Sequence, residues 1–362
     1  MEDERICSMC GCILQEHEQT EIDEEWLCDD CAEHHTVECD HCGERIWAND
    51  AISDDHTTLC SCCYDDHYRR CESCGRILHD DDILWSGDYP YCASCYDRIE
   101  TEIEEYGYKP EPIFYGDGNR FFGVELEIDG AGKDDDSAAR IKRQTNIRCE
   151  HIYCKSDGSL DEGFEIVTHP MTLDYHMNCM YWEDVLLEAV RMGYRSHQTS
   201  TCGLHIHVNR DALGEDREEQ EKVIERILYF VELHWNEIFI FSRRSQHNMS
   251  RWAARYGMEK TGKEILDKAK KGNTGRYAAV NLCPYMTIEF RLFRGTLKAN
   301  TLFATLQFVN CIIDTALTMT EDEIAAQSWS DFVATVTEPE LIRYLKERRI
   351  YINEEVKAEE EM

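Results

Sequence analysis

The first part of this sequence has very few basic residues. Residues 1–105 hold 30 acidic and 6 basic side chains, a net charge of −24 out of −35 for the 362-residue chain. Modules that bind nucleic acid carry basic stripes that neutralise phosphates, so this deficit argues against a nucleic-acid partner. We expect the region to bind a protein or peptide partner instead, although its charge would also serve simply to keep it in solution.

A long apolar segment is missing too. The most apolar stretch, Leu302–Leu317, is interrupted by Gln307, Asn310 and Asp314, whereas a membrane-spanning helix needs about 20 predominantly apolar residues. The first five residues are mostly charged, and no apolar segment typical of a signal peptide follows them. We therefore expect no membrane partner and a cytoplasmic location, in which cysteines stay reduced.

Cysteine, in contrast, is abundant and periodic. Twelve of the 20 cysteines fall on a repeat of 32 residues, C-x2-C-x17-C-x2-C, with a glycine after the second cysteine each time. Because the repeating unit contains two cysteine pairs, the period predicts one four-thiolate zinc site per repeat, or about three structural Zn²⁺ ions. The predicted ligand sets are Cys7, Cys10, Cys28 and Cys31; Cys39, Cys42, Cys60 and Cys63; and Cys71, Cys74, Cys92 and Cys95.

Disulfide bonds are the alternative interpretation of these cysteines. A repeat of 32 residues is too short to bury an adequate core, so it needs a metal or a crosslink to fold. A reducing location favours the metal. We therefore expect three zinc-ribbon-like repeats at about 5–35, 37–67 and 69–99, with His34, His35 and His67 close enough in sequence to replace a ligand.

The rest of the chain predicts one larger domain. A linker is expected at 100–119, with an acidic helical run at Ile99–Tyr106, followed by a domain at 120–340 and a helical end with an acidic tail at 341–362. The expected strands are Phe121–Asp129, His151–Lys155, Gly163–His169, Gly203–Asn209, Tyr277–Leu282 and Thr287–Phe293. The longer expected helices are Leu173–Met192, Arg217–Phe241 and Thr301–Met319. Strands outnumber possible βαβ crossovers, which favours an α+β fold with a mainly antiparallel sheet and flanking helices.

Four of these strands alternate polar and apolar residues. Glu125 and Glu127 share one face of their strand, because successive strand side chains point to opposite faces. The other polar residues of this pattern are Glu165, His205, His207, Glu289 and Arg291. One such strand is ordinary in a half-exposed sheet, but together the four predict a site for a hard dication, Mg²⁺ or Mn²⁺. Neither G-x4-G-K-[ST] nor G-x-G-x-x-G occurs, so metals and arginines would have to hold nucleotide phosphates.

Six ordered motifs on these strands resemble the amidoligase family, phage and fungal relatives of glutamine synthetase and glutamate–cysteine ligase. The motifs are Gly123-Val-Glu-Leu-Glu, Lys155-Ser-Asp-Gly-Ser-Leu, Gly163-Phe-Glu-Ile-Val-Thr-His-Pro, Gly203-Leu-His-Ile-His-Val, Arg276-Tyr-Ala-Ala-Val-Asn and Thr287-Ile-Glu-Phe-Arg-Leu-Phe-Arg-Gly-Thr. The resemblance covers about Arg120 to Met319. This chain has His169 where many members have serine before the proline of the third motif.

The resemblance implies a carboxylate–amine ligase of glutamine synthetase-like fold, in the host cytoplasm if a phage encodes it. ATP would phosphorylate a small-molecule or protein carboxylate, and an amine would attack the acyl phosphate to form an amide. The implied Mg²⁺ ligands are Glu125, Glu127, Glu165, His205 and Glu289. The implied contacts to nucleotide, phosphate or substrate are His207, Arg276, Arg291, Arg294 and Lys155. The residues implied to take part in catalysis are Glu127, Glu165, Arg291, Arg294 and Lys155.

Two other classes of function fit the same residues. A metal-dependent hydrolase would use the Glu/His face to activate water, and it would turn over without ATP. In an adaptor, the cysteine repeats would bind a partner and the second domain would be inactive. The sequence does not identify the acid, the amine or the oligomeric state.

Overall fold

The structure is a computed structural model of the full chain, and it describes residues 5–14, 19–86, 89–96, 101–272 and 275–352. The chain divides into two compact units, Met1–Glu100 and Thr101–Met362. The predicted acidic tail from 353 onwards lies outside the described residues, as do residues 97–100 at the end of the third repeat.

The first unit consists of short antiparallel hairpins and short helices. Its strands are β1 (Thr20–Ile22), β2 (Glu25–Leu27), β3 (Thr36–Glu38), β4 (Arg45–Trp47), β5 (Ile52–Ser53), β6 (Thr58–Leu59), β7 (Tyr68–Arg70), β8 (Ile77–His79), β9 (Leu84–Ser86) and β10 (Tyr89–Tyr91). Its helices are α1 (Asp29–His35), α2 (Ser61–His67) and α3 (Ala93–Tyr96). These strands form five two-stranded sheets, which pair β1 with β2, β3 with β4, β5 with β6, β7 with β8 and β9 with β10.

The two cysteine pairs of a repeat lie on different kinds of local structure. In the second repeat, Cys39 and Cys42 occupy the turn between β3 and β4, where the Gly43 N–H donates to the Cys39 carbonyl. Gly43 has φ +75°, a left-handed conformation that glycine adopts without steric cost. Cys60, however, is the N-cap of α2, and Cys63 lies in its first turn. The first cysteine pair of this repeat therefore lies on a hairpin turn, whereas the second pair begins a helix.

The second unit contains a seven-stranded sheet. Its strands are β11 (Ile103–Glu104), β12 (Phe122–Ile128), β13 (Ile152–Lys155), β14 (Phe164–Thr168), β15 (Gly203–Asn209), β16 (Val280–Asn281) and β17 (Thr287–Arg294). Their spatial order is β11-β13-β14-β12-β15-β17-β16. Neighbours are antiparallel apart from β11 and β13, in agreement with the mainly antiparallel sheet expected.

The helices of the second unit are α4 (Asp135–Arg143), α5 (Leu173–Asn178), α6 (Trp182–Arg191), α7 (Arg217–Leu233), α8 (Trp235–Ser242), α9 (Gln246–Trp252), α10 (Gly262–Lys271), α11 (Ala299–Thr318), α12 (Glu321–Ala326), α13 (Trp329–Ala334) and α14 (Pro339–Glu347). Apolar residues of β12 and β15 such as Val124, Leu126 and Ile206 are fully buried. They join the buried faces of the helices in one continuous apolar core. Helices therefore cover one face of the sheet, and the polar residues occupy the other.

Several expected boundaries are wrong. The run Ile99–Tyr106 is not helical over Ile103–Glu104, because β11 pairs with the edge of the sheet. The expected strand Tyr277–Leu282 is shortened to β16, since a 3₁₀ turn occupies its start. The helix expected at Leu173–Met192 is two helices, α5 and α6, separated at Tyr181, which has φ +56°.

One other helix also differs from expectation. The helix expected at Arg217–Phe241 is interrupted at His234, which ends α7 and precedes α8. Helix α14 packs against α11, and Leu341, Tyr344 and Leu345 are buried in the common core. The apolar core therefore extends past residue 340.

Helix α11 is the one helix of the described residues that is long and apolar enough, by length and composition, to cross a membrane. Its most apolar window is 67% buried inside the fold. A buried core helix has these same properties.

Candidate metal centres and active site

In each repeat of the first unit, the structure brings together the same four cysteines that the period grouped. The Cys10 and Cys28 sulfurs are 3.8 Å apart, and those of Cys74 and Cys92 are 3.9 Å apart. A tetrahedral zinc ion with Zn–S bonds of about 2.3 Å sets its sulfurs roughly 3.8 Å apart, whereas a disulfide requires about 2.05 Å. The cysteine groups therefore fit zinc-binding repeats.

The pKa of the first cysteine is lowered in each repeat. Burial raises the pKa of Cys7, but N–H donors of the backbone at Cys10, Cys28 and Met9 outweigh it and lower the pKa to about 6. The pKa of Cys39 is lowered to about 6 by donors at the equivalent positions of its repeat. Because zinc binds the deprotonated sulfur, these turns favour the form of cysteine that a metal needs.

In the second unit, strand pairing places the predicted polar residues in a row across one face of the sheet. Glu165 lies opposite Glu127 on one side and Lys155 on the other. Glu125 lies opposite His205. The row continues through His207, Glu289 and Asn281, which face one another across β15, β17 and β16.

Two groups of possible metal ligands form within this row, and they share one residue. Glu125, Glu165 and His205 have ligand atoms within 4.8 Å of one another, and so do Glu125, His207 and Glu289. A carboxylate common to two neighbouring groups can bridge two cations, as in enzymes that use a pair of metals. Within the described residues, the donor set is oxygen and imidazole nitrogen, without thiolate, which suits Mg²⁺ or Mn²⁺.

The His207 ring has a partner at one nitrogen and none at the other. Its Nε2 is buried and has no hydrogen-bond partner; the nearest acceptors are Glu125 Oε1 at 3.4 Å and Glu289 Oε1 at 3.9 Å. Its Nδ1 lies 3.0 Å from the Thr287 hydroxyl, which orients the ring. A metal held by Nε2 would satisfy this nitrogen, and a second partner on Nδ1 is typical of metal-binding histidines.

The charged groups on this face shift one another's pKa values in both directions. Burial would raise the pKa of Glu125, but the imidazoles of His207 and His205 hold it well below its ordinary value. Burial and the charge of Glu125 raise the pKa of Glu165 well above its ordinary value. The pKa of Lys155 is raised because its Nζ lies 3.2 Å from Glu165 Oε2, which outweighs burial.

Glu127 lies beside the two ligand groups and belongs to neither. Its carboxylate accepts a hydrogen bond from the Gly203 N–H, and burial raises its pKa. A Cβ at Gly203 would force two side chains to shift, because it would lie 2.6 Å from Arg244 Nη2 and 2.7 Å from His205 Nε2. The glycine before the two histidines therefore makes room for Arg244, a residue that sequence analysis did not place in the site.

A bulge in β17 explains how Arg291 and Arg294 both come to the polar face. Residues three apart on a regular strand point to opposite faces. Here Leu204 pairs with Phe293, but Ile206 pairs with Phe290, so one extra residue lies in β17 between these pairs. The bulge turns Arg294 to the side of Glu289 and Arg291, the usual effect of a bulge beside a functional site.

Arg276 lies at the edge of the face. Its guanidinium donates to the Tyr106 hydroxyl at 2.5 Å and to the Tyr277 hydroxyl at 2.9 Å. The Tyr106 ring lies 6.0 Å from Lys155 Nζ, and the Tyr277 ring lies 6.0 Å from the Arg291 guanidinium. Arg276 thus joins two aromatic side chains beside the predicted lysine and arginine. Tyr277 belongs to the fifth motif, whereas nothing in the sequence pattern indicates Tyr106.

Comparison with known proteins adds little to this geometry. No protein-family model matches the chain, and no curated protein matches it. Among solved structures, the chain is similar to a bifunctional glutathione synthetase from Pasteurella multocida, with 14% sequence identity and a TM-score of 0.36. The alignment covers 63% of this chain and 46% of that enzyme, so the chain spans less than half of its length. At this TM-score the similarity does not establish a common fold.

Proposed function

We propose that the second unit is an ATP- and Mg²⁺-dependent carboxylate–amine ligase with a glutamine synthetase-like fold. One observation carries the proposal: motifs spread between Gly123 and Thr296 meet on one sheet face, where two possible metal groups share Glu125. Cations in these groups would neutralise charge on the phosphoryl group during its transfer from ATP. Glu125, Glu165, His205, His207 and Glu289 would hold them.

The arginines supply hydrogen-bond donors for phosphate and carboxylate oxygens. Arg291, Arg294 and Arg244 present guanidinium groups, which pair with phosphate and carboxylate oxygens through two parallel hydrogen bonds. Burial lowers the pKa of Arg244 to about 10, so it stays charged at neutral pH. These residues would orient the γ-phosphate toward a substrate carboxylate, and Lys155 would neutralise the acyl phosphate that forms. The neutral amine would then attack the acyl carbon, the bond from that carbon to the phosphate oxygen would break, and the amine would lose one proton to the departing phosphate or to water.

The acidic cysteine repeats are proposed to bind a protein partner or a protein substrate, with three Zn²⁺ ions holding them folded. Their net charge favours a basic surface. Free cysteines throughout the described residues are consistent with a reducing compartment such as the cytoplasm.

The ligase is tested with the full-length protein, ATP and Mg²⁺, and pooled acids and amines. Mass spectrometry should detect ADP together with a new amide, and only when an acid and an amine are both present. Glu125→Gln should lower the rate by roughly 100-fold or more, the usual cost of losing one group that stabilises transition-state charge. Glu183→Gln, on the exposed side of α6, is the matched control and should have no effect. Amide hydrolysis without ATP would contradict the ligase and favour the hydrolase.

A further inference from the structure

Three histidines come together in the first unit at the junction between the second and third repeats. His41 belongs to the turn of the second repeat, His67 is the last residue of α2, and His79 is the last residue of β8 in the third repeat. None of them belongs to a four-cysteine group.

The repeat period shows that this junction differs in its side chains from the junction between the first and second repeats. Subtracting 32 gives the equivalent positions at the first junction, which are Met9, His35 and Trp47. Trp47 packs there on the small apolar cluster of the first repeat. At the second junction both the methionine and the tryptophan are replaced by histidine. A junction that needed only packing would have no use for three imidazoles.

The three rings lie close to one another. The centroids of His41 and His67 are 4.8 Å apart, those of His41 and His79 are 6.2 Å apart, and those of His67 and His79 are 6.3 Å apart. A metal with bonds of about 2.1 Å to three imidazoles holds their centroids roughly 5 Å apart. One pair already has this spacing, and the other two would close by roughly 1 Å. His41 and His67 are exposed, so their side chains are free to make that change.

Two of the histidines have a partner on Nδ1. The His41 Nδ1 lies 3.2 Å from the Tyr68 hydroxyl, and the His79 Nδ1 accepts a hydrogen bond from the Asp81 N–H at 3.3 Å. The Tyr68 hydroxyl fixes the His41 ring through Nδ1 and leaves the lone pair of its Nε2 for a metal, which is the usual arrangement around metal-binding histidines. The bond from the Asp81 N–H fixes the position of the His79 ring.

We propose that His41, His67 and His79 form a further metal site, distinct from the three cysteine groups, for a late first-row transition-metal dication. Imidazole nitrogen is a borderline ligand that suits Zn²⁺, Ni²⁺ and Cu²⁺ rather than Mg²⁺. The strongly acidic unit around it raises the local concentration of cations. Three imidazoles, two of them exposed, bind such an ion less tightly than four thiolates, so the ion exchanges with solution. Its presence ties the second repeat to the third.

The proposal is tested by titrating Ni²⁺ into the full-length, zinc-loaded protein and its variants, with calorimetry to count sites and elemental analysis to count zinc. The wild type should bind one more Ni²⁺ ion than His67→Asn. His79→Asn should lose the same site. Both variants should keep three zinc ions, which shows that the repeats remain folded. Tyr68→Phe should weaken this site by about tenfold, as expected for the loss of an outer-shell partner.

The period supplies the matched control. His35→Asn changes the position equivalent to His67 at the first junction, and it should bind as many Ni²⁺ ions as the wild type. Any Ni²⁺ held by the Glu/His face of the second unit remains in all these proteins, so it does not affect the difference. The proposal is overturned if His67→Asn and His79→Asn keep the wild-type number of sites, or if His35→Asn loses one as well.

Discussion

The first unit folds around cysteines, whereas the second folds around apolar side chains. Within the described residues, the apolar clusters of the first unit are small, and each includes the cysteines of a metal group, as with Cys7 and Cys31 beside Ile22 and Leu27. In the second unit, one cluster joins the sheet to its helices from Ile103 to Ile350. Metals are therefore expected to stabilise the fold of the first unit and to serve the chemistry of the second. Each prediction below changes one unit and leaves the other as its reference.

Metal removal should give the largest difference. A strong chelator should unfold the first unit, because a structural zinc site contributes about 10–16 kcal/mol that a small core cannot replace. Amide hydrogen exchange, read peptide by peptide, should rise throughout 19–86 and stay unchanged in β12 and α11. Zinc added back should restore protection. Protection that persists in the first unit after complete zinc removal would contradict this account.

A cavity in the core of the second unit should destabilise that unit and leave the first unit unchanged. Phe308 is fully buried and stacks on Phe241 with ring centroids 4.2 Å apart. Phe308→Ala should lower the free energy of unfolding of the second unit by about 3–5 kcal/mol, measured by exchange in denaturant. The zinc content should remain at three. Leu187→Ala, at an exposed position of α6, should change the stability by less than about 0.5 kcal/mol.

Acid should destabilise the second unit through a buried histidine. Burial lowers the pKa of His176 to about 4, and its Nε2 lies 3.0 Å from the Phe122 carbonyl. Above pH 6.5 the His176 ring is neutral in both the folded and the unfolded chain. As the pH falls below 6.5, the ring becomes protonated in the unfolded chain, whereas in the folded chain it stays neutral until about pH 4. The second unit should therefore lose about 3 kcal/mol between pH 6.5 and 4.

The histidine variant isolates that proton. His176→Gln keeps an acceptor for the Trp182 indole, which donates to His176 Nδ1, but it does not titrate. Between pH 6.5 and 4, the unfolding free energy of this variant should depend less steeply on pH than that of the wild type. The difference in slope should correspond to the uptake of one proton on unfolding. Identical pH dependence in the two proteins would show that His176 is not responsible.

The smallest stability effect is expected at Gly203. A Cβ there would meet the ends of two flexible side chains, Arg244 and His205, which can shift, so Gly203→Ala should cost the second unit no more than about 1 kcal/mol. The displaced His205 should, however, weaken Mn²⁺ binding by about tenfold or more. Gly158→Ala, at an open position, is the control. Unchanged Mn²⁺ affinity in Gly203→Ala would remove His205 from the ligand set.

The regular features of the structure were predictable from sequence. The 32-residue period grouped the cysteines as the structure does, because each repeat folds as one unit that contains its own four cysteines. Alternation placed Glu125 and Glu127 on one face of their strand, and His205 and His207 on one face of theirs, because side chains of a strand alternate strictly.

The irregular features were not predictable. A bulge brings Arg294 to the face of Arg291, and sequence alternation alone places them apart. Arg244 reaches Gly203 from a segment beyond α8, a tertiary contact with no local signal. The second cysteine pair begins a helix, although a C-x-x-C spacing fits a helix start and a tight turn equally well.

The most direct test of the central claim is electron paramagnetic resonance of Mn²⁺ bound to the full-length protein. Because the two ligand groups share Glu125, the account predicts a pair of Mn²⁺ ions about 3.5–4 Å apart, with the spectrum of a coupled pair. Glu125→Gln should abolish the coupling, and Glu183→Gln should retain it. Mn²⁺ ions that bind singly, or a coupled pair that survives Glu125→Gln, would contradict the account.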